Sequence, residues 1–125
     1  MVTDMPISIH VDTQYIAQQS EPEANRYAFA YTITISNHGV ETVKLLARHW
    51  VITDGNNKVE EVKGDGVIGE QPAIEPGTSF RYTSGALLET SVGTMEGSYQ
   101  MQSVSGLAFD APIPCFSLIQ PGALH

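Results

Sequence analysis

Three glycines in the stretch GDGVIGEQP, Gly64, Gly66 and Gly69, have the spacing G-x-G-x-x-G. In dinucleotide-binding turns this spacing follows a buried strand and opens a helix, whose first N–H groups hold the pyrophosphate. Here the preceding segment KVEEVK is acidic, and Pro72 and Pro76 prevent a helix from following. The sequence therefore argues against a Rossmann turn and favours a long loop in which glycine supplies positive φ angles.

A phosphate site on this loop is the alternative, in which backbone N–H groups of residues 64–69 would bind pyrophosphate or a nucleotide. The loop and its flanks carry an excess of carboxylates, namely Glu60, Glu61, Asp65 and Glu70 against Lys58 and Lys63. These carboxylates would repel a bare anion, whereas Mg²⁺ would bridge carboxylate and phosphate oxygens. The alternative function is therefore more easily accepted in a Mg-dependent form.

The four histidines do not form a metal-binding motif. His10 and Asp12 are two residues apart on the polar face of one predicted strand, a spacing that can chelate a metal, but no further ligand is evident. His49 lies inside a central strand and is expected to be hydrogen-bonded and partly buried. His38 lies in a turn and His125 is terminal. We expect structural roles for all four and predict no metal site and no cofactor.

Catalytic signatures are missing from the sequence as well. It contains no G-x-S-x-G, H-E-x-x-H or P-loop pattern. The single cysteine, Cys115, lies in an apolar run without a neighbouring base, so we expect a buried small hydrophobe rather than a nucleophile. A Ser–His–Asp set assembled from distant segments stays open at this point. The sequence favours a protein that is not an enzyme.

The elements that position these residues are strands, because the dominant hydrophobic period is two. In RYAFAYTITISN, aromatic and β-branched residues point one way and small polar residues the other. Asp54-Gly55 between two β-rich runs predicts a hairpin, and ALLETSVGTM is expected to form at most a helical turn. Pro112 and Pro114 place the middle of the last strand at a sheet edge or a bulge. About seven strands in one domain, residues 1–125, predict an all-β, Ig-like or fibronectin type III-like antiparallel sandwich with Trp50 between the sheets.

Charge restricts the partners. The formal net charge is -8, from 14 acidic and 6 basic residues, which argues against nucleic acid and disfavours anionic membrane surfaces. The first residues do not resemble a signal peptide, and no apolar run approaches the length of a membrane span. We expect a cytoplasmic protein that binds another protein, and an exposed edge strand could pair two copies into a homodimer.

The chain resembles the ApaG (CorD) family over essentially its whole length. The resemblance rests on the opening strand ISIHVDTQYI, on RYAFAYTITISNHG, on the central block RHWVITDGNNKVEEVKGDGVIGEQP and on FDAPIPCFSLIQPGALH. It implies a fibronectin type III-like sandwich, a link to magnesium and cobalt homeostasis, and a gene neighbourhood with diadenosine tetraphosphate hydrolysis and rRNA methylation. Similar domains in F-box proteins and in a DNA-polymerase-interacting protein are thought to mediate protein contacts.

Three functions follow from this resemblance and from the residues. The first is a non-enzymatic interaction module linked to magnesium and cobalt homeostasis. The second is a pyrophosphate or Ap4A-type nucleotide binder that uses Gly64, Gly66 and Gly69, the loop for which the family resemblance implies pyrophosphate binding. The third, ranked lowest, is direct Mg²⁺ or Co²⁺ sensing by His10 and surface carboxylates.

Overall fold

The computed structural model describes residues 6–122, which form eight strands in two antiparallel sheets. In chain order the strands are β1 (Ile7–Tyr15), β2 (Tyr27–Asn37), β3 (Val43–Asp54), β4 (Val59–Asp65), β5 (Ala73–Ile74), β6 (Ser79–Leu88), β7 (Val92–Ser103) and β8 (Ala108–Ile119). One sheet has the order β1-β2-β6, and the other has the order β4-β3-β7-β8, with β5 paired to the start of β3. This confirms the predicted fibronectin type III-like sandwich, to which β5 adds a short eighth strand. Within this described part, no helix is long and apolar enough to cross a membrane.

The core lies between the sheets and is formed by every second residue of the strands. Phe29, Tyr31, Ile33 and Ile35 of β2 are buried, and the polar residues between them are half-exposed. Trp50 of β3 is 2% exposed and meets the rings of three aromatic residues edge-on or tilted, with centroids 5.4–6.3 Å apart: Tyr31, Tyr99 and Phe116. Such contacts add to the free energy of burial itself. Trp50 therefore joins the two sheets, as predicted.

The hairpin between β3 and β4 forms at the predicted position. The carboxylate of Asp54 accepts hydrogen bonds from the backbone N–H groups of Asn56 (2.8 Å) and Lys58 (2.9 Å). Asn57 has a positive φ of 65°, which asparagine tolerates better than most residues. This turn fixes the register in which β4 follows β3.

The start of β7 differs from the prediction. The segment ALLETSVGTM was expected to hold at most a helical turn, but it contains the end of β6, a tight turn and the first residues of β7. Thr90 organises the turn because its hydroxyl donates to the carbonyl of Val92 (2.7 Å) and accepts from the N–H of Gly55 (2.7 Å). Pairing of β7 with β3 then outweighs the weak strand propensity of the segment.

The prediction for Cys115 is wrong, because its side chain is exposed. The strand β8 is an edge strand, and its pairing with β7 shifts register near Pro114, so both readings of the prolines are confirmed. Ala111 and Ile113 point inward before the shift, and Leu118 does so after it. The extra residue at the bulge changes the phase of the alternation and turns Cys115 outward.

Candidate functional site

An open groove of about 460 Å³ lies along the five-stranded sheet. It crosses four neighbouring strands, β4, β3, β7 and β8, and each strand contributes residues at matching register positions. The groove is lined by small residues and by longer residues that are polar or charged. The lining residues are Ala47, Arg48, His49, Lys63, Gly64, Asp65, Ser98, Gln100 and Asp110.

The charges of the groove are mixed in sign. One register row runs from Lys63 through His49 to Ser98, and the next runs from Asp65 through Ala47 to Gln100, which is paired with Asp110 in β8. One lysine therefore lies within two residues of an aspartate on the same strand. A surface of this kind suits a ligand with both polar and charged groups rather than a simple anion or cation.

His49 and Ser98 line this groove and Glu61 lies beside it, so three residues that are far apart in sequence come together. The imidazole Nε2 of His49 lies 2.7 Å from the carboxylate Oε1 of Glu61, and the His49 side chain is 29% exposed. This confirms the hydrogen-bonded, partly buried imidazole expected for His49. Ser98 is the direct cross-strand neighbour of His49 on β7, so the three residues together have the types found in a serine hydrolase triad.

The geometry of these three residues differs from that of a working triad. The Oγ of Ser98 accepts a hydrogen bond from the side-chain amide of Gln100 (2.9 Å), and in the described residues no bond joins it to His49. The strand positions of Ser98 and His49 commit backbone groups to ladder pairing, whereas a triad needs a free pair of N–H groups aimed at the oxyanion. The arrangement is that of a cluster of polar side chains on three neighbouring strands.

Arg48 occupies the inner side of the same sheet and reaches under the glycine loop. One Nη of its guanidinium donates to the carbonyl oxygens of Asp65 (3.0 Å) and Gly66 (2.9 Å). A Cβ on Gly64 would lie 2.8 Å from that Nη and 2.9 Å from Cζ. A side chain at position 64 would therefore displace the guanidinium, which fills the space in which that side chain would begin.

A buried pair of tyrosines lies near Arg48 between the sheets. The hydroxyls of Tyr82 and Tyr99 are hydrogen-bonded to each other, and both residues are buried. Burial raises the pKa of each phenol well above its usual value of 10.0, and the positive charge of Arg48 offsets this only in part. The floor below the groove is thus a neutral hydrogen-bonded pair held in a packed core.

The glycine loop folds back on itself at Gly66 and Gly69. Gly66 has φ of 60°, its N–H donates to the carbonyl of Leu46 (2.8 Å), and a Cβ there would overlap the carbonyl of Glu70. Val67 and Glu70 exchange backbone hydrogen bonds of 2.8 and 2.9 Å across a two-residue turn. The central residues of that turn, Ile68 and Gly69, have φ of 43° and 79°, the signs found in a type I′ turn.

These contacts bear on the predicted phosphate loop without testing it. Gly64 and Gly66 are explained by close approach, and Gly69 by its positive φ. The N–H groups of Gly66 and Val67 already donate to protein carbonyls. Binding of pyrophosphate by Gly64, Gly66 and Gly69 stays a prediction, with Ile68 and Gly69 as the residues of the turn whose N–H groups it would use.

Of the remaining histidines, one lies on the three-stranded sheet, one in the loop that follows β2, and one outside the described residues. His10 Nε2 is 3.3 Å from Asp12 Oδ2 on the outer face of β1, and both side chains are more than 60% exposed. His38 Nε2 lies 2.9 Å from the hydroxyl of Ser8, and His125 is outside the described residues. Between residues 6 and 122 no three His, Cys, Asp or Glu side chains converge on a metal position.

Comparison with known proteins gives a consistent result. The model of the ApaG domain family matches residues 17–103. A protein named ApaG from Pseudomonas paraeruginosa is 56% identical over 98% of both chains, and one from Thiobacillus denitrificans is 58% identical over 95% of this chain and 94% of its own. The fold superimposes on the crystal structure of a Bordetella pertussis protein named ApaA with a TM-score of 0.92, at 42% identity over 98% of this chain and 99% of the other. The X-ray structure of the structural genomics target SoR45 has a TM-score of 0.90, at 53% identity over 95% of this chain and 90% of that one.

Proposed function

The chain belongs to the ApaG domain family, and we propose that it is a non-enzymatic binding module that contacts another protein through the groove on its five-stranded sheet. The observation that carries this proposal is the combination of small residues and charges of both signs at matched register positions. Small side chains such as Ala47 and Ser98 would let a polypeptide segment lie close to the sheet. Lys63, Asp65 and Asp110 would then select the charges of that segment.

The polar cluster of Ser98, His49 and Glu61 supports binding more than hydrolysis. Ser98 would need a hydrogen bond to His49 to become a nucleophile, and its Oγ is instead bonded to Gln100. The imidazole of His49 is fixed from its other side by Glu61 at 2.7 Å. A cluster of oriented donors and acceptors of this kind can pair with the polar groups of a partner without any chemical step.

The association with magnesium and cobalt homeostasis is carried over as part of the proposal, with the effect exerted through the protein partner. The groove carries Lys63 between its acidic residues, so its charge does not match a site for a bare divalent cation. Cations would act on the partner or on its complex with this chain. Direct sensing at His10 and Asp12 would use two exposed side chains on the opposite sheet.

The experiment compares two Ala→Arg variants on the outer faces of the two central strands. Ala47→Arg fills the groove, and Ala30→Arg places the same side chain on β2, the central strand of the other sheet. Each variant and the wild type are immobilised and used to capture proteins from extract of the source cell, and the captured protein is then purified and titrated. We expect Ala47→Arg to weaken binding at least about tenfold, as truncation or blockage of an interface centre does, and Ala30→Arg to change it less than about twofold.

Two results would count against the proposal. Binding that survives Ala47→Arg would remove the groove from the interface, and equal loss in both variants would indicate a general effect on the fold. Calorimetry separates the alternative function, with pyrophosphate and Ap4A titrated in the presence and absence of Mg²⁺. Saturable heat that disappears in a loop variant such as Gly69→Asp would favour the nucleotide alternative, since the added carboxylate would repel phosphate and aspartate tolerates the positive φ of 79° better than most residues.

A further inference from the structure

The free edge of β6 is less protected than the other outer strands of the two sheets. Proteins usually blunt such edges with proline, charge, bulges or covering segments. The edge strand β8 carries two prolines and a register shift, and four of the seven residues of β4 are charged. The edge strand β1 lies against β8, and just after β8 the side-chain amide of Gln120 donates to the hydroxyl of Tyr15 (3.5 Å). The ten residues of β6 include no proline and a single charge, Arg81.

The ladder alternation identifies the backbone groups at this edge. The N–H of Asn37 donates to the carbonyl of Thr78 (3.0 Å), one residue before β6 begins. Because antiparallel ladders alternate, the even-numbered residues of β6 bond to β2. The N–H and C=O groups of residues 79, 81, 83, 85 and 87 therefore point away from the sheet, and the side chains of these residues are exposed on its outer face.

We propose that this edge pairs antiparallel with β6 of a second copy of the chain, with the two-fold axis at Gly85. In this register Gly85 faces itself, Thr83 faces Leu87, and Arg81 faces Glu89. The paired residues within β6 have free backbone groups that point outward, and Glu89 follows one residue after the strand ends, so the two three-stranded sheets continue into one sheet of six. The two opposed Arg81–Glu89 pairs select this register over the neighbouring ones, because self-pairing about Thr83 would place Arg81 opposite Gly85.

Gly85 provides an independent argument for the axis. A Cβ there would meet only the carbonyl of Phe29, at 3.5 Å, which is an ordinary contact, so the fold of a single chain does not require glycine. Glycine inside a strand marks a place where another backbone or side chain approaches closely. In the proposed register Leu87 of the second copy is the diagonal neighbour of Gly85 and covers it. Leu87 is 60% exposed in the single chain, and the pairing buries it.

The pairing does not depend on the groove, which lies on the other sheet. It is tested by sedimentation velocity from micromolar to millimolar concentration, the range expected for a small interface. Arg81→Glu and Glu89→Arg each place like charges opposite one another at two symmetric positions, and each is expected to weaken the dimer at least about tenfold. The double variant restores opposite charges and should return the dissociation constant to within about threefold of the wild type.

A matched control separates the register from general charge effects. Lys44 is exposed on β3 of the other sheet, away from the proposed ladder, so Lys44→Glu, which makes the same change of charge as Arg81→Glu, should change the dissociation constant less than about twofold. A wild type that stays monomeric at millimolar concentration would overturn the proposal. A double variant that dimerises as weakly as the single variants would overturn the proposed register.

A second variant tests the backbone pairing without using charge. Thr83→Pro removes an N–H at the free edge and the exposed hydroxyl bond to Thr32 (2.8 Å), but it leaves the backbone bonds between β6 and β2 in place, so the monomer should fold and the dimer should be lost. Amide hydrogen exchange gives the matching readout. The N–H groups of Thr83, Gly85 and Leu87 should exchange slowly in the dimer and fast in the monomer, and equal rates at both concentrations would contradict the pairing.

Discussion

Gly64→Ala tests whether the guanidinium of Arg48 requires glycine at this position. The new Cβ would lie 2.8–2.9 Å from three guanidinium atoms, so Arg48 must move away from the loop. The movement breaks two hydrogen bonds, to the carbonyls of Asp65 and Gly66 at 3.0 and 2.9 Å. A hydrogen bond from a charged group contributes about 1.5–3 kcal/mol when buried and less near the surface, so we expect a loss of about 1–3 kcal/mol in the free energy of unfolding.

Urea denaturation with a matched glycine control measures this loss. At Gly85 a Cβ meets only ordinary contact and φ is not positive, so Gly85→Ala should leave stability unchanged or raise it by up to about 1 kcal/mol. In an Arg48→Met background, which ends short of the guanidinium, Gly64→Ala should cost less than about 0.5 kcal/mol. If Gly64→Ala has the same free energy of unfolding as the wild type when Arg48 is retained, the guanidinium does not occupy this space and the reasoning fails.

Three further outcomes are expected. Ile68→Asn should raise the free energy of unfolding by about 1 kcal/mol in urea denaturation, because a β-branched residue is strained at φ of 43°; unchanged stability would show that the turn carries no strain. Two of the five tyrosines, Tyr82 and Tyr99, should ionise only when the protein unfolds, as measured by an ultraviolet pH titration. Because their pKa values are raised in the fold, their contribution to the free energy of unfolding should be complete below about pH 10 and should fall above it. Ionisation of all five tyrosines in the folded protein would contradict this. Ser98→Ala should leave any release of p-nitrophenol from its acetate ester at the rate of the wild type, and a loss above tenfold would instead assign a catalytic role to Ser98.

The sandwich could be predicted because the alternation of apolar and polar residues within each segment indicates a strand without knowledge of its partners. The alternation of Phe29, Tyr31 and Ile33 with small polar residues places one face of β2 in a core whatever strand it meets. The phase change at Cys115 could not be predicted in this way, since the bulge of β8 is defined only by its pairing with β7. Local pattern predicts a strand but not an insertion in its ladder.

The groove could not be predicted for the same reason. His49, Glu61 and Ser98 meet only because β3 pairs with β4 on one side and with β7 on the other, each in a particular register. Nothing near any of the three residues in sequence indicates the other two. Arg48 illustrates the same limit, because nothing beside it in the strand indicates its partners, which are carbonyl groups 17 and 18 residues later.

The glycines of the G-x-G-x-x-G spacing and the glycine of β6 have different physical causes. Gly66 is required by the backbone carbonyl of Glu70, and Gly64 makes room for the guanidinium of Arg48, so both have a cause within the same chain whether or not the loop binds a ligand. Gly85 has no such neighbour, and a strand interior is a costly place for a residue without a side chain. A glycine that the fold does not need is therefore better evidence for an intermolecular contact than one placed at the spacing of a known motif. On this criterion the edge of β6, rather than the loop, is where the fold points to a second molecule.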